Sequence, residues 1–321
     1  MKRLLMTLVL VVMLLPVAAR APRGVKFIER RANHADGKPY VWFAFVIDQD
    51  ANKNLKFNAV EVEGGTTPSK LYKAWSEYGE GKPVVVANAG FFNMRTLESV
   101  SLLMDEGKVA AADVRSVTRR NPAGEKVEVF PIHAAFGQMP DGSYEAQWIY
   151  CQPDKDLHPY VYPFAVGNDD SLRRYSPVPP AVGQLGSYPW QVVDAVAAGP
   201  VLVKNGKDVS LESSLGESYY LTIGGNARHN RTAIGLTEDG KLVIMVVDGR
   251  GMNGSVGCTL SELAEFLMEL GVVEGVNLDG GGSSAIVNWD GELVNHPSDG
   301  GKRPERIERV VPTFVVISEE K

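Results

Sequence analysis

Apolar residues fall in short β-branched and aromatic runs separated by glycine-containing turns, a pattern that predicts a protein built mainly of strands. Residues 40–48 (YVWFAFVID) and the run around 84–86 read as buried strands. Asp-Gly or Asn-Gly pairs recur at Asp141-Gly142, Asn205-Gly206, Asp239-Gly240 and Asp290-Gly291, each between alternating runs. Such pairs tolerate the positive φ of a tight hairpin turn, so antiparallel pairing is expected. The strongest helical periodicity lies at 260–270, where Leu260, Leu263, Ala264, Leu267 and Leu270 share one face. Thr259 or Ser261 can cap its start and Gly271 can end it. A shorter helix is expected over 68–78, after Thr66 and Thr67.

From 138 to 190 the composition shifts to Pro, Tyr and Asp with little periodicity, including PVPP at 177–180, and we read this stretch as a loop-rich insertion within one domain spanning 22–321. Strands outnumber helices and no βαβ alternation or internal repeat runs through the chain. The expected class is therefore α+β: a mainly antiparallel mixed sheet with few packed helices.

Composition narrows the partners. Lys and Arg number 33 against 39 Asp and Glu, a formal charge of −6, which lacks the basic footprint of phosphate-backbone binding and argues against nucleic acid. Lys2 and Arg3 precede an apolar run over 4–15, then Pro16 and mostly small residues to Ala21. This is the order of a secretory leader, expected to be removed after Ala19 or Ala21 and too short for a stable membrane span. Loss of Lys2 and Arg3 takes the charge from −6 to −8, and the protein is expected to be exported, to periplasm or medium. Cys151 and Cys258 are the two cysteines. Their pairing is open from sequence, and they do not make a zinc site.

Candidate chemistry concentrates near the carboxyl end. Asn277, Leu278 and Asp279 run into Gly280, Gly281, Gly282, Ser283 and Ser284. Three glycines after a carboxylate exceed what a bare hairpin needs, and their N–H groups are expected to converge on an anion. No Lys follows as in a nucleotide-binding loop. A serine-hydrolase elbow around Ser283 would require a helix next, whereas residues 285–289 read as a strand. Arg231 opens one apolar strand, while Asp248 and Arg250 close another, and the hairpin at Asp239-Gly240 brings the two ends to the same edge. The pair of arginines is expected to clamp an anion. Asn88 and Gly90, in an amide-rich segment after a buried strand, offer polar and close-approach positions. His296 is a further candidate lining residue. Arg303, Arg306 and Arg309 read as a solvated basic face, and His133 as a core histidine.

The order of NAGFFN at Asn88, AGPVLVKNG at Ala198, RTAIG at Arg231, VDGR at Val247, TLSELAEFL at Thr259, NLDGGGSS at Asn277 and VNHPSDG at Val294 resembles the phosphodiester glycosidase family. Ala89 and Asn230 stand where the family commonly has Gly and Pro. The resemblance implies hydrolysis of the anomeric bond of a sugar 1-phosphodiester, of N-acetylglucosamine type or linked to an envelope glycan, with no organic cofactor. In that reaction the leaving phosphomonoester needs little protonation, since its second pKa is about 6. Arg231 and Arg250 are then expected to stabilise phosphate charge. Asp279, with Asp248 second, is expected to act at the sugar centre as nucleophile or base. Asn88, Gly90, Asn277, Gly280, Gly281, Gly282, Ser283 and His296 are expected to contact or orient substrate. A non-catalytic carbohydrate-binding protein is the alternative reading. No metal is expected, since no EF-hand spacing supports calcium.

Overall fold

The computed structural model describes residues 20–165, 167–301 and 305–320. All but the last two residues of the expected leader thus lie outside the described residues.

The Asp-Gly and Asn-Gly turns organise the molecule as their chemistry requires. Arg231–Thr237 pairs with Leu242–Asp248 across Asp239-Gly240, and His133–Gln138 with Tyr144–Cys151 across Asp141-Gly142. At Asn205-Gly206, where φ is 51° and 69°, Val201–Lys204 turns into Lys207–Asp208. Asp290-Gly291 closes a smaller loop in which one bridge joins Val287 to Leu293.

Among the described residues three larger antiparallel sheets result, besides a two-stranded ribbon of Val117–Arg120 and Lys126–Val129. The first runs in the order Val25–Asn33, Pro39–Ile47, Leu242–Asp248, Arg231–Thr237, Val272–Leu278, Val201–Lys204, Lys207–Asp208. A second seven-stranded sheet is centred on Tyr144–Cys151, His133–Gln138 and Asp194–Ala198. The third, of four strands, places Lys82–Asn88 and Val311–Glu319 between Ile286–Val287 and Leu55–Thr66. Phe45, Phe57, Val84, Phe136, Ile244, Val276 and Val315 meet in the common core between them. Strands buried on both faces explain why the 40–48 run is apolar without alternation.

The helix Leu260–Glu269 forms where its periodicity places it. Thr259 accepts from the Glu262 amide while Glu262 reaches back to the Thr259 amide, a reciprocal cap. Leu260, Leu263, Ala264 and Leu267 pack on Trp42, Ala44, Met245 and Val247, the outer face of the first sheet. The helix expected over 68–78 ends early. Thr67 caps Pro68–Lys73, and a 3-10 turn, Trp75–Glu77, follows.

Residues 138–190 divide. Tyr144–Cys151 and Pro159–Tyr162 are integral strands of the second sheet, and their Trp148, Tyr150, Tyr160 and Tyr162 enter the common core. Reading the whole stretch as loop-rich was therefore too broad; aromatic residues here fill pleated positions, and the irregular part is the stretch after Tyr162. Cys151 and Cys258 are separately buried and free, their thiols pushed up to about 12 by burial.

Candidate active site

The site is a consequence of antiparallel register. Arg231 pairs with Val247 on one side, and the next residue, Thr232, pairs with Leu278 on the other. The start of one strand therefore meets the ends of both neighbours, bringing Arg231, Arg250 and Asp279 to one mouth of the first sheet. They line a cavity of about 470 Å³ with Phe91, Ile223, His229, Asn277, Gly280, Gly281, Gly282 and Arg309.

Asp279 is held by its backbone. Its N–H donates to the Ala89 carbonyl at 2.8 Å, and its carbonyl accepts from the Asn88 side-chain amide at 2.6 Å. Burial raises its carboxyl to about 6, opposed by hydrogen bonding from Ser283, the charge of Arg309 and the Gly280 amide. A carboxylate so placed gains basicity near neutral pH while remaining mostly ionised there.

The glycines work differently from the expected anion nest. The Gly281 amide donates to the Asn230 carbonyl at 2.9 Å, and the Gly280 amide supports the Asp279 carboxylate. Their use is close approach. A Cβ at 281 would lie 3.1 Å from Arg250 Nη2, and one at 282 would lie 2.2 Å from Arg309 Nη2. Consecutive bare positions thus seat two guanidinium groups over the loop.

The three arginines differ. Arg231 is 3% exposed and donates to the carbonyls of Cys258, Ile223, Gly224 and Ala227 at 2.9 to 3.3 Å. It holds the 223–227 loop as much as it faces the cavity, which corrects the picture of a free clamp. Burial, and to a lesser extent Arg250, press its pKa down, yet a guanidinium stays charged. By contrast its neighbour Arg228 is neutralised by Glu262 and Asp36. Arg250 adopts φ of +56°, unusual for a residue with a side chain, and its guanidinium makes one long contact, 3.4 Å, to Ser298 Oγ. Arg309 donates to Ser283 Oγ at 3.2 Å and, through Nε and Nη2, to Asp299 Oδ1 at 3.0 and 2.5 Å.

Several expected residues support the site instead of lining it. Asp248 is buried and accepts from Asn253, Asn295 and the His296 amide. Burial raises its pKa, but these donors occupy it and it is absent from the cavity wall, so it is not a second acid there. His296 enters through that backbone bond. Asn88 Oδ1 accepts from Thr232 and the Ala285 amide while its NH2 donates to Asp279, so this side chain orients the loop, and it is buried behind the cavity wall instead of lining it. Gly90 is a packing position, where a Cβ would meet the Ala197 carbonyl at 2.8 Å. Ser283 is buried under Arg309 in the turn Gly281–Ser283, and no helix follows, which removes the nucleophile elbow. Asn277 does line the cavity. Its amide donates to Gly199 at 2.7 Å while Oδ1 is buried without a hydrogen-bond partner.

His229 and Arg309 were missed. His229 lies two residues before Arg231, in a bridge with Cys258, and period-two alternation would have put both on one side. Its Nδ1 is buried without a hydrogen-bond partner, and burial together with Arg231 and Arg250 lowers its pKa, so the imidazole is neutral near pH 7. Arg309 does not belong to a solvated face: it pairs with Asp299 and Ser283 and lines the cavity. Among the described residues no group of three or more His, Cys, Asp or Glu is arranged to hold a metal ion.

The α+β scaffold thus sets one carboxylate among three guanidinium groups at a strand mouth. The phosphodiester glycosidase family profile matches residues 81–318, and the chain belongs to that family. Bovine N-acetylglucosamine-1-phosphodiester alpha-N-acetylglucosaminidase is 46% identical over 69 residues, covering 22% of this chain and 12% of that protein. The Bacillus subtilis SPbeta prophage-derived protein YomE is 40% identical over 93 residues, 29% of this chain and 13% of its own length. The matched segments are thus a small part of these relatives. The zebrafish N-acetylglucosamine-1-phosphodiester alpha-N-acetylglucosaminidase catalytic domain shares the fold, with a TM-score of 0.62 at 20% identity over 95% of this chain and 85% of that one.

Proposed function

We propose that this protein hydrolyses the anomeric bond of a sugar 1-phosphodiester. The observation that carries the reading is Asp279 lining one cavity with Arg231, Arg250 and Arg309. Membership of the phosphodiester glycosidase family supports it. The cavity is of a size for a sugar phosphate and a water molecule.

In the mechanism the phosphate rests against Arg250 and Arg309 over Gly281 and Gly282. As the anomeric C–O bond breaks, its electron pair goes to the phosphate oxygen, where the guanidinium charges stabilise it. Asp279 takes a proton from the water that attacks the oxocarbenium-like centre, a task suited to a carboxylate raised to about 6. The proton on Asp279 passes to water entering the cavity as the carboxylate resets, and Asn277 Oδ1 accepts from a sugar hydroxyl. Product NMR on an N-acetylglucosamine 1-phosphodiester tests this: hydrolysis with inverted anomeric configuration is expected. Binding without turnover would favour the carbohydrate-binding alternative.

The leader pattern supports export. No helix among the described residues is long and apolar enough to cross a membrane. Fractionation with amino-terminal sequencing is expected to find a soluble exported chain beginning at Arg20 or Pro22. An envelope glycan bearing a sugar phosphodiester is the natural substrate class that this location favours.

A further inference from the structure

Asp299 has no part in the chemistry just described, yet its carboxylate meets the same guanidinium that the phosphate would use. Arg309 directs Nε and Nη2 to Asp299 Oδ1 and Nη1 to Ser283, which in turn hydrogen-bonds Asp279. The ion pair lies directly on the glycine loop, for a Cβ at 282 would be 2.5 Å from Asp299 Oδ1. The preceding residue, Ser298, touches Arg250 at 3.4 Å. Both arginines over the loop are therefore tethered to one two-residue segment, and one of the two tethers is an acid. The Asp299 side chain is 35% exposed, so it is within reach of a charged ligand without being buried beneath it.

Among the described residues, the charges gathered on the glycine loop and the cavity wall are three guanidinium groups, of Arg231, Arg250 and Arg309, against two carboxylates, of Asp279 and Asp299. His229 adds none while neutral. One net positive charge is left, which matches the single negative charge of a phosphodiester. A phosphomonoester carries up to two near neutral pH. We propose that Asp299 is a charge-selecting residue that sets this site for singly charged phosphodiesters and against doubly charged phosphomonoesters, so that cleavage of the diester itself weakens the hold on the phosphate product. The inference rests on the functional reading above, but it concerns anion binding alone and can fail separately.

Coulomb repulsion scales with ligand charge. Removing the Asp299 charge therefore helps a dianion twice as much, in free energy, as a monoanion. The test is calorimetric titration of the full chain at pH 8 and low salt with dimethyl phosphate, a monoanion, and methyl phosphate, a dianion. The wild-type protein is expected to bind methyl phosphate no more tightly than dimethyl phosphate. In Asp299→Asn the affinity ratio should shift roughly three- to tenfold toward methyl phosphate. Asp299→Glu, which keeps the charge, should retain the wild-type ratio. An unchanged ratio in Asp299→Asn overturns the proposal, as does loss of both anions, which would make Asp299 only a prop for Arg309. Wild-type preference for the dianion would also overturn it. Failure to hydrolyse any sugar phosphodiester, by contrast, would sink the functional reading while leaving a shifted anion ratio in place.

Discussion

Two acids with raised pKa values separate function from architecture in this molecule. Glu217 is fully buried and burial pushes its carboxyl up to about 8; Asp279 is raised to about 6 for the same leading reason. Around Glu217 the protein closes completely. Its oxygens accept from the Ala134 and Val201 amides and the Trp148 indole at 2.9 to 3.0 Å, joining the first two sheets. Nearby, His133 Nδ1 bonds Asp113 at 2.7 Å, and the His133 ring stacks on Tyr219 at 4.7 Å. Asp279 has the opposite setting, a cavity on one side and guanidinium groups around it. Tyr219 contacts Phe91 at 5.2 Å, so one aromatic wall divides the two environments. A raised pKa marks burial; an open approach with unneutralised cations marks a site for chemistry.

Substitutions can break that distinction. Glu217→Ala leaves three donors unsatisfied and is expected to lower stability by about 3–5 kcal/mol, read by denaturant unfolding, with residual activity per folded molecule unchanged. A loss of turnover without loss of stability would place Glu217 in the mechanism. Asp279→Asn is expected to do the reverse: turnover on a sugar phosphodiester falls on the order of 10² or more while the protein stays folded. Near-normal turnover would exclude Asp279.

Smaller effects sharpen the comparison. Arg250→Ala should reduce kcat/KM about ten- to a hundredfold on a phosphodiester and less on an activated aryl glycoside; equal losses would speak against phosphate stabilisation. Arg231 is the poorer probe, because its removal also frees the carbonyls of the 223–227 loop. Asp279 also makes a stability prediction with a definite sign. Its folded pKa of about 6 exceeds the unfolded value, so stability associated with its protonated form is complete at low pH and is lost as pH rises through 6. Asp279→Asn should therefore stabilise by about 1–2 kcal/mol at pH 7.5 and by nothing near pH 3. Finally, kcat/KM should fall below pH 6 as the carboxylate protonates. Arg309→Ala should move that limb upward by less than one unit, because the guanidinium favours the ionised form.

Local signals determined much of this protein. Asp-Gly and Asn-Gly turns specified hairpins through positive φ, Thr259 and the 260–270 periodicity specified the helix, and the glycine run flagged the loop bearing Asp279. These features need only neighbours a few residues away. Tertiary structure alone decided which flagged groups are free to act. Asp248 and Asn88 are engaged because segments distant in sequence bring Asn295 and Thr232 to them, and Arg231 is partly consumed by loop carbonyls. Arg309 enters the cavity only when the last strand is laid beside Lys82–Asn88, and His229 only when Cys258 bridges to it. The physical reason is that hydrogen-bond saturation and desolvation depend on every group within a few ångströms, and sequence separation says nothing about that distance.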